Sequence, residues 1–309
     1  MAIVFFGTPR FAVPSLKALH ESGEDIKAVV TRRDAPAGRA KKKKILPPPV
    51  KEIALDLGLK VLQPGRLDEA FAAEIEKFSP EFLAVAAYGK ILPARVLSIP
   101  RIAPVNVHAS LLPRWRGASP IARAIINGDS ETGITTMLMD QGMDTGAVLL
   151  QEKMEIRPED DAGSLSERLA DIGAKLLVKT LRAMRAGSIT PRPQEGEATY
   201  APPLKKEEGL IDWRRPAQAL SDFVRGMHPW PGAFFFLNGE RIKILKARPV
   251  EGNGPAGVVE KARGELLVGT GGGLLSLLAV QPEGKKPMPA SAFIQGRRIG
   301  QGGVLGAKN

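Results

Sequence analysis

Short apolar runs alternate with amphipathic segments along the first two thirds of the chain. Residues 3–6 and 82–86 are continuously apolar, which is typical of strands buried on both faces of a parallel sheet. Between such runs, residues 14–21 and 67–78 carry apolar positions with the period of an amphipathic helix. This alternation predicts an α/β fold in which a Rossmann-like, mostly parallel sheet carries flanking helices.

The pattern changes near residue 190. Residues 190–203 contain four prolines and no hydrophobic period, which is typical of a segment between domains. Beyond it the chain consists mainly of short strand-like runs separated by glycine-containing turns, and Asn238-Gly239 favours a two-residue hairpin turn. The predicted parts of the chain are a first domain, a linker and a small OB-like β-barrel domain, at residues 1–189, 190–208 and 209–309.

Residues 32–49 interrupt the alternation. They include three consecutive prolines and a run of four lysines, so we expect a long exposed loop. The net charge is +4 over residues 1–204 and +7 over 205–309, and without this loop the first part is slightly negative. Two basic zones on an otherwise near-neutral chain indicate a polyanionic partner, and nucleic acid is the one we expect. The alternative is that the lysines serve only solubility.

Composition excludes several kinds of site. The chain has no cysteine, which excludes disulfides and thiolate chemistry. Its three histidines, His20, His108 and His228, are not spaced as zinc ligands, and the opening turn lacks the glycine spacing of a dinucleotide site. We therefore predict no metal. The apolar run that opens the chain is too short for a signal sequence or a membrane span, so we expect a cytoplasmic protein with no membrane partner. As a separate default, we expect a monomer.

Asn106 and His108 are two positions apart in an apolar run that predicts a strand over residues 102–107. In a strand, side chains at i and i+2 lie on the same face. An amide donor beside a titratable imidazole suits acyl-group chemistry, because one group can stabilise an oxyanion while the other moves a proton. The alternative interpretation of His108 is a core histidine that is satisfied by a backbone carbonyl.

Two turns at predicted strand ends favour the chemical interpretation. Residues 110–117 combine small, cationic and aromatic side chains, and residues 140–146 contain two glycines with the carboxylates of Asp140 and Asp144. In an open parallel sheet, the carboxyl ends of the strands line the crevice that binds ligands. From the spacing alone, either aspartate is placed to orient His108.

Five stretches of sequence carry a specific resemblance to a known family. They are Phe5-Phe6-Gly7-Thr8-Pro9, Val85-Ala86-Ala87-Tyr88-Gly89-Lys90-Ile91-Leu92-Pro93, Asn106-Val107-His108-Ala109-Ser110-Leu111-Leu112-Pro113-Arg114-Trp115-Arg116-Gly117, Met139-Asp140-Gln141-Gly142-Met143-Asp144-Thr145-Gly146 and Pro229-Trp230-Pro231-Gly232-Ala233. Through them the chain resembles the methionyl-tRNA formyltransferase family over nearly its whole length. The resemblance implies formyl transfer from 10-formyltetrahydrofolate to the α-amino group of initiator methionyl-tRNA, for translation initiation.

Matched residue by residue, the resemblance implies three sets of site residues. The implied catalytic trio is Asn106, His108 and Asp144. The implied folate contacts are Ser110, Leu111, Leu112, Pro113, Tyr88 and Gly89. The implied tRNA contacts are Arg39, Lys41, Lys42, Lys43 and Lys44, together with the C-terminal barrel. The chain departs from the family at Ala40, where relatives often have glycine, and in its longer lysine run.

The resemblance also implies a mechanism in which the methionyl amine attacks the formyl carbon. His108 then assists deprotonation, Asn106 stabilises the oxyanion, and Asp144 orients His108. The trio identifies the chemistry but not the acceptor. One alternative is therefore formyl transfer to a small amine, such as glycinamide ribonucleotide or an amino sugar nucleotide, which leaves the basic zones unused. Another is a non-catalytic RNA-binding protein, for which the trio is accidental.

Overall fold

A computed structural model of the chain describes residues 2–37, 44–297 and 299–306. The chain divides into two compact units. The first unit comprises Met1–Pro120, Glu131–Glu155 and Ser166–Ala201, and the second unit comprises Ile121–Ser130, Ile156–Leu165 and Pro202–Asn309. Among the described residues, no helix combines the length and the apolar character needed to cross a membrane.

The strands and helices are named here in chain order. The strands are β1 (Ala2–Gly7), β2 (Asp25–Val30), β3 (Ala35–Ala37), β4 (Lys44–Leu46), β5 (Val61–Leu62), β6 (Phe82–Ala86), β7 (Ala103–His108), β8 (Glu131–Leu138), β9 (Val148–Glu155), β10 (Ala233–Leu237), β11 (Glu240–Val250), β12 (Val259–Arg263), β13 (Glu265–Gly269), β14 (Leu274–Pro282) and β15 (Met288–Pro289). The helices are α1 (Val13–Glu21), α2 (Pro49–Asp56), α3 (Glu69–Glu76), α4 (Ala94–Leu97), α5 (Pro120–Ile126), α6 (Ala162–Arg185), α7 (Ala217–Met227) and α8 (Ala290–Arg297).

The first unit is built on a seven-stranded sheet with the order β5-β2-β1-β6-β7-β8-β9. The five strands from β5 to β7 are parallel, whereas β8 and β9 are antiparallel to their neighbours. Every residue of β1 and β6 is buried, as expected from their continuous apolar runs. Phe71 and Ile75 of α3 pack against this sheet in a common core with Phe6 and Leu83. The predicted mostly parallel sheet is confirmed.

The second unit contains an antiparallel sheet with the order β10-β11-β14-β13-β12, and β15 pairs with β14. Asn238 and Gly239 join β10 to β11 with positive φ angles of 50° and 79°, as the two-residue turn requires. The C-terminal segment then pairs through Gly306 with Phe236 of β10 and through Val304 with Val258, next to β12. It thereby bridges the two ends of the sheet, as expected for a small β-barrel.

The structure differs from the sequence prediction within residues 32–49. The sequence predicts a loop, whereas β3 and β4 pair as antiparallel strands on either side of residues 38–43. Each strand has three residues, which is too short for a hydrophobic period to be visible. The sequence also gives no sign of α4, a single turn of four residues.

Residues 190–201, at the start of the predicted linker, belong to the first unit. Arg192 forms an antiparallel bridge with Val148 of β9, and Tyr200 forms a parallel bridge with Arg116. These contacts are made by backbone groups, which explains why the segment shows no hydrophobic period. The domain boundaries at residues 189 and 209 stay a prediction.

Candidate active site

Strand β7 places Asn106 and His108 on one face near its carboxyl end. Asn106 lies opposite Val85 of β6 and Met137 of β8, and His108 lies opposite Thr135 of β8. His108 is only 6% exposed, whereas Asn106 is half-buried. The alternation of a strand therefore brings the two side chains together as the sequence predicts.

The imidazole of His108 is fixed by the turn that follows β7. Its Nε2 atom lies 3.0 Å from the backbone oxygen of Trp115. Because a carbonyl oxygen only accepts hydrogen bonds, Nε2 must carry the proton of this contact. In the neutral ring the lone pair is then on Nδ1, which lies 3.6 Å from Oδ2 of Asp144. The backbone contact matches the core-histidine interpretation, but the carboxylate at Nδ1 goes beyond it.

Asp144 is held in place by its own backbone and by a neighbouring amide. Its φ angle is 54°, a left-handed conformation that aspartate tolerates better than most residues. Oδ2 accepts a hydrogen bond of 2.8 Å from the backbone N–H of Gly117, and the side chain is 17% exposed. The carboxylate is thus directed at His108 by the structure of two turns.

Asp140 has a different role from Asp144. Its Oδ1 atom accepts hydrogen bonds from the backbone N–H of Gly142 at 2.9 Å and from Oγ1 of Thr145 at 2.7 Å. This pattern closes the turn in the manner of an Asx turn. The structure therefore separates two aspartates that the sequence leaves equivalent: Asp140 shapes the turn, and Asp144 faces the imidazole.

The side-chain amide of Asn106 is uncommitted. Within the part of the chain that the structure describes, no residue makes a hydrogen bond to it, and it is half-buried rather than fully solvated. A partly desolvated amide without a partner is a donor that a ligand oxygen can use.

Residues Ser110 to Pro113 are anchored by hydrogen bonds to strands β8 and β9 of the sheet. Oγ1 of Thr135 donates to the backbone oxygen of Ser110 at 2.7 Å and accepts from the backbone N–H of Leu112 at 3.1 Å. Nε2 of Gln151 donates to the backbone oxygen of Leu112 at 2.9 Å. Ser110 and Leu112 are buried, whereas Leu111 and Pro113 are half-buried. The two partly exposed side chains are therefore the ones that a ligand can reach.

Tyr88 and Gly89 follow β6 and differ in exposure. The Tyr88 ring is 2% exposed and packs edge-on against Phe6, with ring centroids 5.3 Å apart. Its hydroxyl is buried without a hydrogen-bond partner among the described residues. Burial raises the pKa of this hydroxyl, and the positive charge of Arg32 partly opposes the effect. Gly89 is exposed, so in this segment the backbone, not the ring, can contact a ligand.

Most of the predicted tRNA contacts lie outside the described residues. These are Arg39, Lys41, Lys42 and Lys43. Lys44 begins strand β4. At the foot of this hairpin, Asp34 accepts hydrogen bonds of 2.8 Å from Lys51 and Gln63. The hydrogen bond from Lys51, followed by that from Gln63, lowers the pKa of Asp34 below its ordinary value.

Sequence reasoning missed residues that hold the two turns from the segment 190–201. The Gln194 side chain hydrogen-bonds to both turns, through Arg116 and through the backbone oxygen of Asp144. Thr199 accepts a hydrogen bond of 2.9 Å from the backbone N–H of Trp115 through its Oγ1 atom. The prolines of this segment predict a linker, so the polar residues between them carry no visible signal.

As for metals, the described residues include no group of three or more acidic, histidine or cysteine side chains that could hold an ion.

Comparison with known families gives two matches that follow each other along the chain. The family described as formyl transferase matches residues 1–181, and the formyl transferase C-terminal domain matches residues 203–298. The methionyl-tRNA formyltransferase of Thermodesulfovibrio yellowstonii is 52% identical over 301 residues, covering 97% of each chain. That of Caldanaerobacter subterraneus is 48% identical over 310 residues, covering 99% of this chain and 100% of the relative.

Solved structures agree on the fold. Methionyl-tRNA formyltransferase from Clostridium thermocellum, 18% identical, aligns with a TM-score of 0.56 over 80% of this chain and 92% of its own. HypX from Aquifex aeolicus, 17% identical and solved with tetrahydrofolic acid, aligns with a TM-score of 0.66 over 94% of this chain. This chain spans about half the length of HypX, 46%. With two consecutive formyl transferase domains and relatives near 50% identity over nearly full length, the chain belongs to the methionyl-tRNA formyltransferase family.

Proposed function

We propose that this chain transfers a formyl group from 10-formyltetrahydrofolate to the α-amino group of methionine carried by initiator tRNA. The product, N-formylmethionyl-tRNA, serves translation initiation. The observation that carries the proposal is the 52% identity, over 97% of both chains, to a methionyl-tRNA formyltransferase. A cytoplasmic location and a monomeric state are consistent with this activity and stay predictions.

The described residues fit the formyl donor. The uncommitted amide of Asn106 suits a carbonyl oxygen, and Ile91 and Met143, 82% and 63% exposed, offer apolar surface on the loops that follow β6 and β8. When bound, 10-formyltetrahydrofolate supplies the activated formyl group. We propose that the residues that hold it are Ser110, Leu111, Leu112, Pro113, Tyr88 and Gly89, with Leu111 and Pro113 contributing partly exposed side chains.

The chemistry then falls to three side chains. As the methionyl amine attacks, the amide of Asn106 donates to the formyl oxygen, where negative charge develops. The amine must lose a proton, and Nδ1 is the nitrogen of His108 that can take it up, because Nε2 already donates to Trp115. The carboxylate of Asp144, 3.6 Å from Nδ1, stabilises the resulting imidazolium and keeps the ring oriented. The bond between the formyl carbon and the folate nitrogen then breaks, that nitrogen takes up one proton, and tetrahydrofolate leaves.

The acceptor is bound by its phosphates. We propose that Arg39, Lys41, Lys42, Lys43 and Lys44 neutralise phosphates of the tRNA and that the C-terminal domain adds further contacts. The net charge of +7 over residues 205–309 supports a polyanionic partner for that domain. Transfer to a small amine is not favoured, because it gives neither basic zone a role.

A formylation assay tests the proposal. Charged initiator tRNA, glycinamide ribonucleotide and an amino sugar nucleotide are each offered with and without 10-formyltetrahydrofolate. We expect formylation of the charged tRNA alone, and only with the donor. Asn106→Ala and His108→Ala should each lower turnover by roughly a hundredfold or more while the protein still folds. Preferred formylation of a small amine, or near-normal turnover by either variant, would overturn the corresponding part of the proposal.

A further inference from the structure

We propose that Gln194 is a positioning residue that fixes Asp144 against His108. The inference rests on the proposed function, because it concerns the same site. Gln194 lies in the segment 190–201, distant in sequence from both turns of the site, and all its partners belong to the first unit. Its printed hydrogen bonds go to Arg116, Asp144 and Gly146 and not to His108, so it acts on the pair through the two turns.

One side chain makes four hydrogen bonds. Nε2 of Gln194 donates to the backbone oxygens of Asp144 and Gly146, both at 2.8 Å. Oε1 accepts from Nε and Nη2 of Arg116, at 3.0 and 2.7 Å. Both protons of the amide nitrogen and both acceptor directions of the oxygen are thus used. Because every hydrogen-bonding position of this half-buried amide is occupied, the side chain can hold two segments of the chain together.

The two ends of this amide hold opposite sides of the His108–Asp144 pair. Arg116 is the next residue after Trp115, whose backbone oxygen fixes Nε2 of His108. Asp144 faces Nδ1 of the same ring. Gln194 therefore connects the turn that orients the imidazole to the turn that carries the carboxylate. The separation of the two groups is set by this connection as well as by the bond from Gly117 to Asp144.

Arg116 is itself hydrogen-bonded, through its own backbone, to the segment 190–201. Its N–H donates to the backbone oxygen of Thr199 at 2.8 Å, and its oxygen accepts from the N–H of Ala201 at 2.7 Å. At Gly117, which has a φ of 120°, a Cβ atom would lie 2.8 Å from the backbone oxygen of Ala201. The segment 190–201 thus approaches the 114–117 turn closely, and Gln194 extends from it to the second turn.

The internal bonds of the Asp140 turn do not replace this bridge. Asp140 bonds to Gly142 and Thr145 within the same turn. Such bonds fix the shape of the turn but not its position relative to His108. Gln194 and Gly117 are groups that make the external connection, one through the backbone of Asp144 and the other through its carboxylate.

The chemistry of the bridge makes it specific for glutamine. Gln194→Glu keeps an acceptor for Arg116 but turns the two donated bonds into contacts between a carboxylate and carbonyl oxygens. Gln194→Met keeps the length of the side chain and removes all four bonds. Gln281 offers a matched control, because it is a glutamine of β14 that donates to the backbone oxygen of Lys285 at 2.8 Å.

Nitrogen-15 NMR of the histidine rings tests the inference without turnover. The chain has three histidines, so His20 and His228 act as internal references in the unliganded protein. We expect Gln194→Met and Gln194→Glu to shift the ring resonances of His108 and to leave those of His20 and His228 in place, while Gln281→Met shifts none. Unchanged His108 resonances in both Gln194 variants would overturn the inference, whatever the reaction proves to be.

Kinetics supply the second test. We expect Gln194→Met to lower kcat by roughly ten- to a hundredfold, and to lower it far less in an Asp144→Asn background, because the contact between carboxylate and imidazole that Gln194 positions is then already lost. Equal losses in both backgrounds would show a general structural role and overturn the inference. If Asp144→Asn alone leaves turnover unchanged, the proposed catalytic role of Asp144 fails as well. Circular dichroism confirms that each variant is folded, and Gln194→Glu replaces Gln194→Met if the latter is not.

Discussion

Two regions at the carboxyl ends of the parallel strands carry family motifs but use them differently. The His108 side consists of Asn106 to Gly117 and residues 140–146. The Tyr88 side consists of Tyr88 to Lys90 and of the described residues 32–37 and 44–46. On the His108 side, polar groups are held toward the site by hydrogen bonds between turns. On the Tyr88 side, the aromatic ring of the motif is buried in the core, and β3 and β4 precede and follow the predicted tRNA-binding stretch in the sequence.

The difference shows that the side chain of a motif residue can serve the fold, which leaves only its backbone to contact a ligand. Tyr88 packs against Phe6, and Gly89, the next residue, is exposed. His108, although equally buried, keeps a ring nitrogen directed at a carboxylate. Burial therefore does not separate the two roles, whereas the direction and partners of the polar atoms do.

The largest effect should come from Asp144 on the His108 side, and Asp140 serves as its control. We expect Asp144→Asn to lower turnover by roughly 10²–10⁴-fold, because the amide cannot stabilise a charged imidazole. Asp140→Asn keeps an oxygen acceptor for Gly142 and Thr145, so we expect a change of about threefold or less. Steady-state kinetics on charged tRNA measure both. Equal losses would contradict the separation of the two aspartates.

The next effect concerns the cations that follow β3 in the sequence. Alanine at Arg39, Lys41, Lys42, Lys43 and Lys44 should weaken tRNA binding by roughly ten- to a thousandfold at low salt and reduce the dependence of log K on log salt by about one for each lost phosphate contact. Binding of the folate donor should stay the same. Titrations at several salt concentrations measure this, and an unchanged slope would argue for a solubility role.

A smaller effect is expected where the folate-contact segment is anchored. Thr135→Val removes the hydrogen bonds to Ser110 and Leu112, so we expect the free energy of unfolding to fall by about 1–3 kcal/mol and KM for the donor to rise. Thr132→Val is the control, because the hydroxyl of Thr132 is buried on the same strand and has no hydrogen-bond partner in the described part of the chain. Denaturant unfolding should show no loss for it; equal losses in both variants would contradict the anchoring role.

The smallest effect should be that of Tyr88→Phe. Its hydroxyl is buried and finds no hydrogen-bond partner among the residues that the structure describes, so we expect about 1 kcal/mol of added stability and unchanged turnover. Because burial raises its pKa in the folded state above the ordinary value of 10.0, the wild-type chain should lose stability relative to the variant as the pH rises above 10. Reduced turnover would instead indicate that the hydroxyl contacts a ligand.

Much of the fold follows from local patterns, while parts of the site do not. The apolar runs of β1 and β6 and the Asn238-Gly239 turn predict their elements because burial and turn geometry constrain each residue type directly. The strands β3 and β4 are too short to leave a period. The role of Gln194 cannot be predicted from the sequence for another reason. It lies in a proline-containing segment, and hydrogen bonds to distant backbone atoms impose no spacing on the sequence.

The sequence by itself placed Asn106 and His108 on one face of a strand, because residues two apart in a strand share a face. It also determined the family and the antiparallel second domain. Only the tertiary structure decided which aspartate faces the imidazole, which ring nitrogen holds the proton, and that the segment after residue 190 joins the two turns. Those choices depend on distances between groups far apart in the chain, and such distances are fixed only when the backbone is folded.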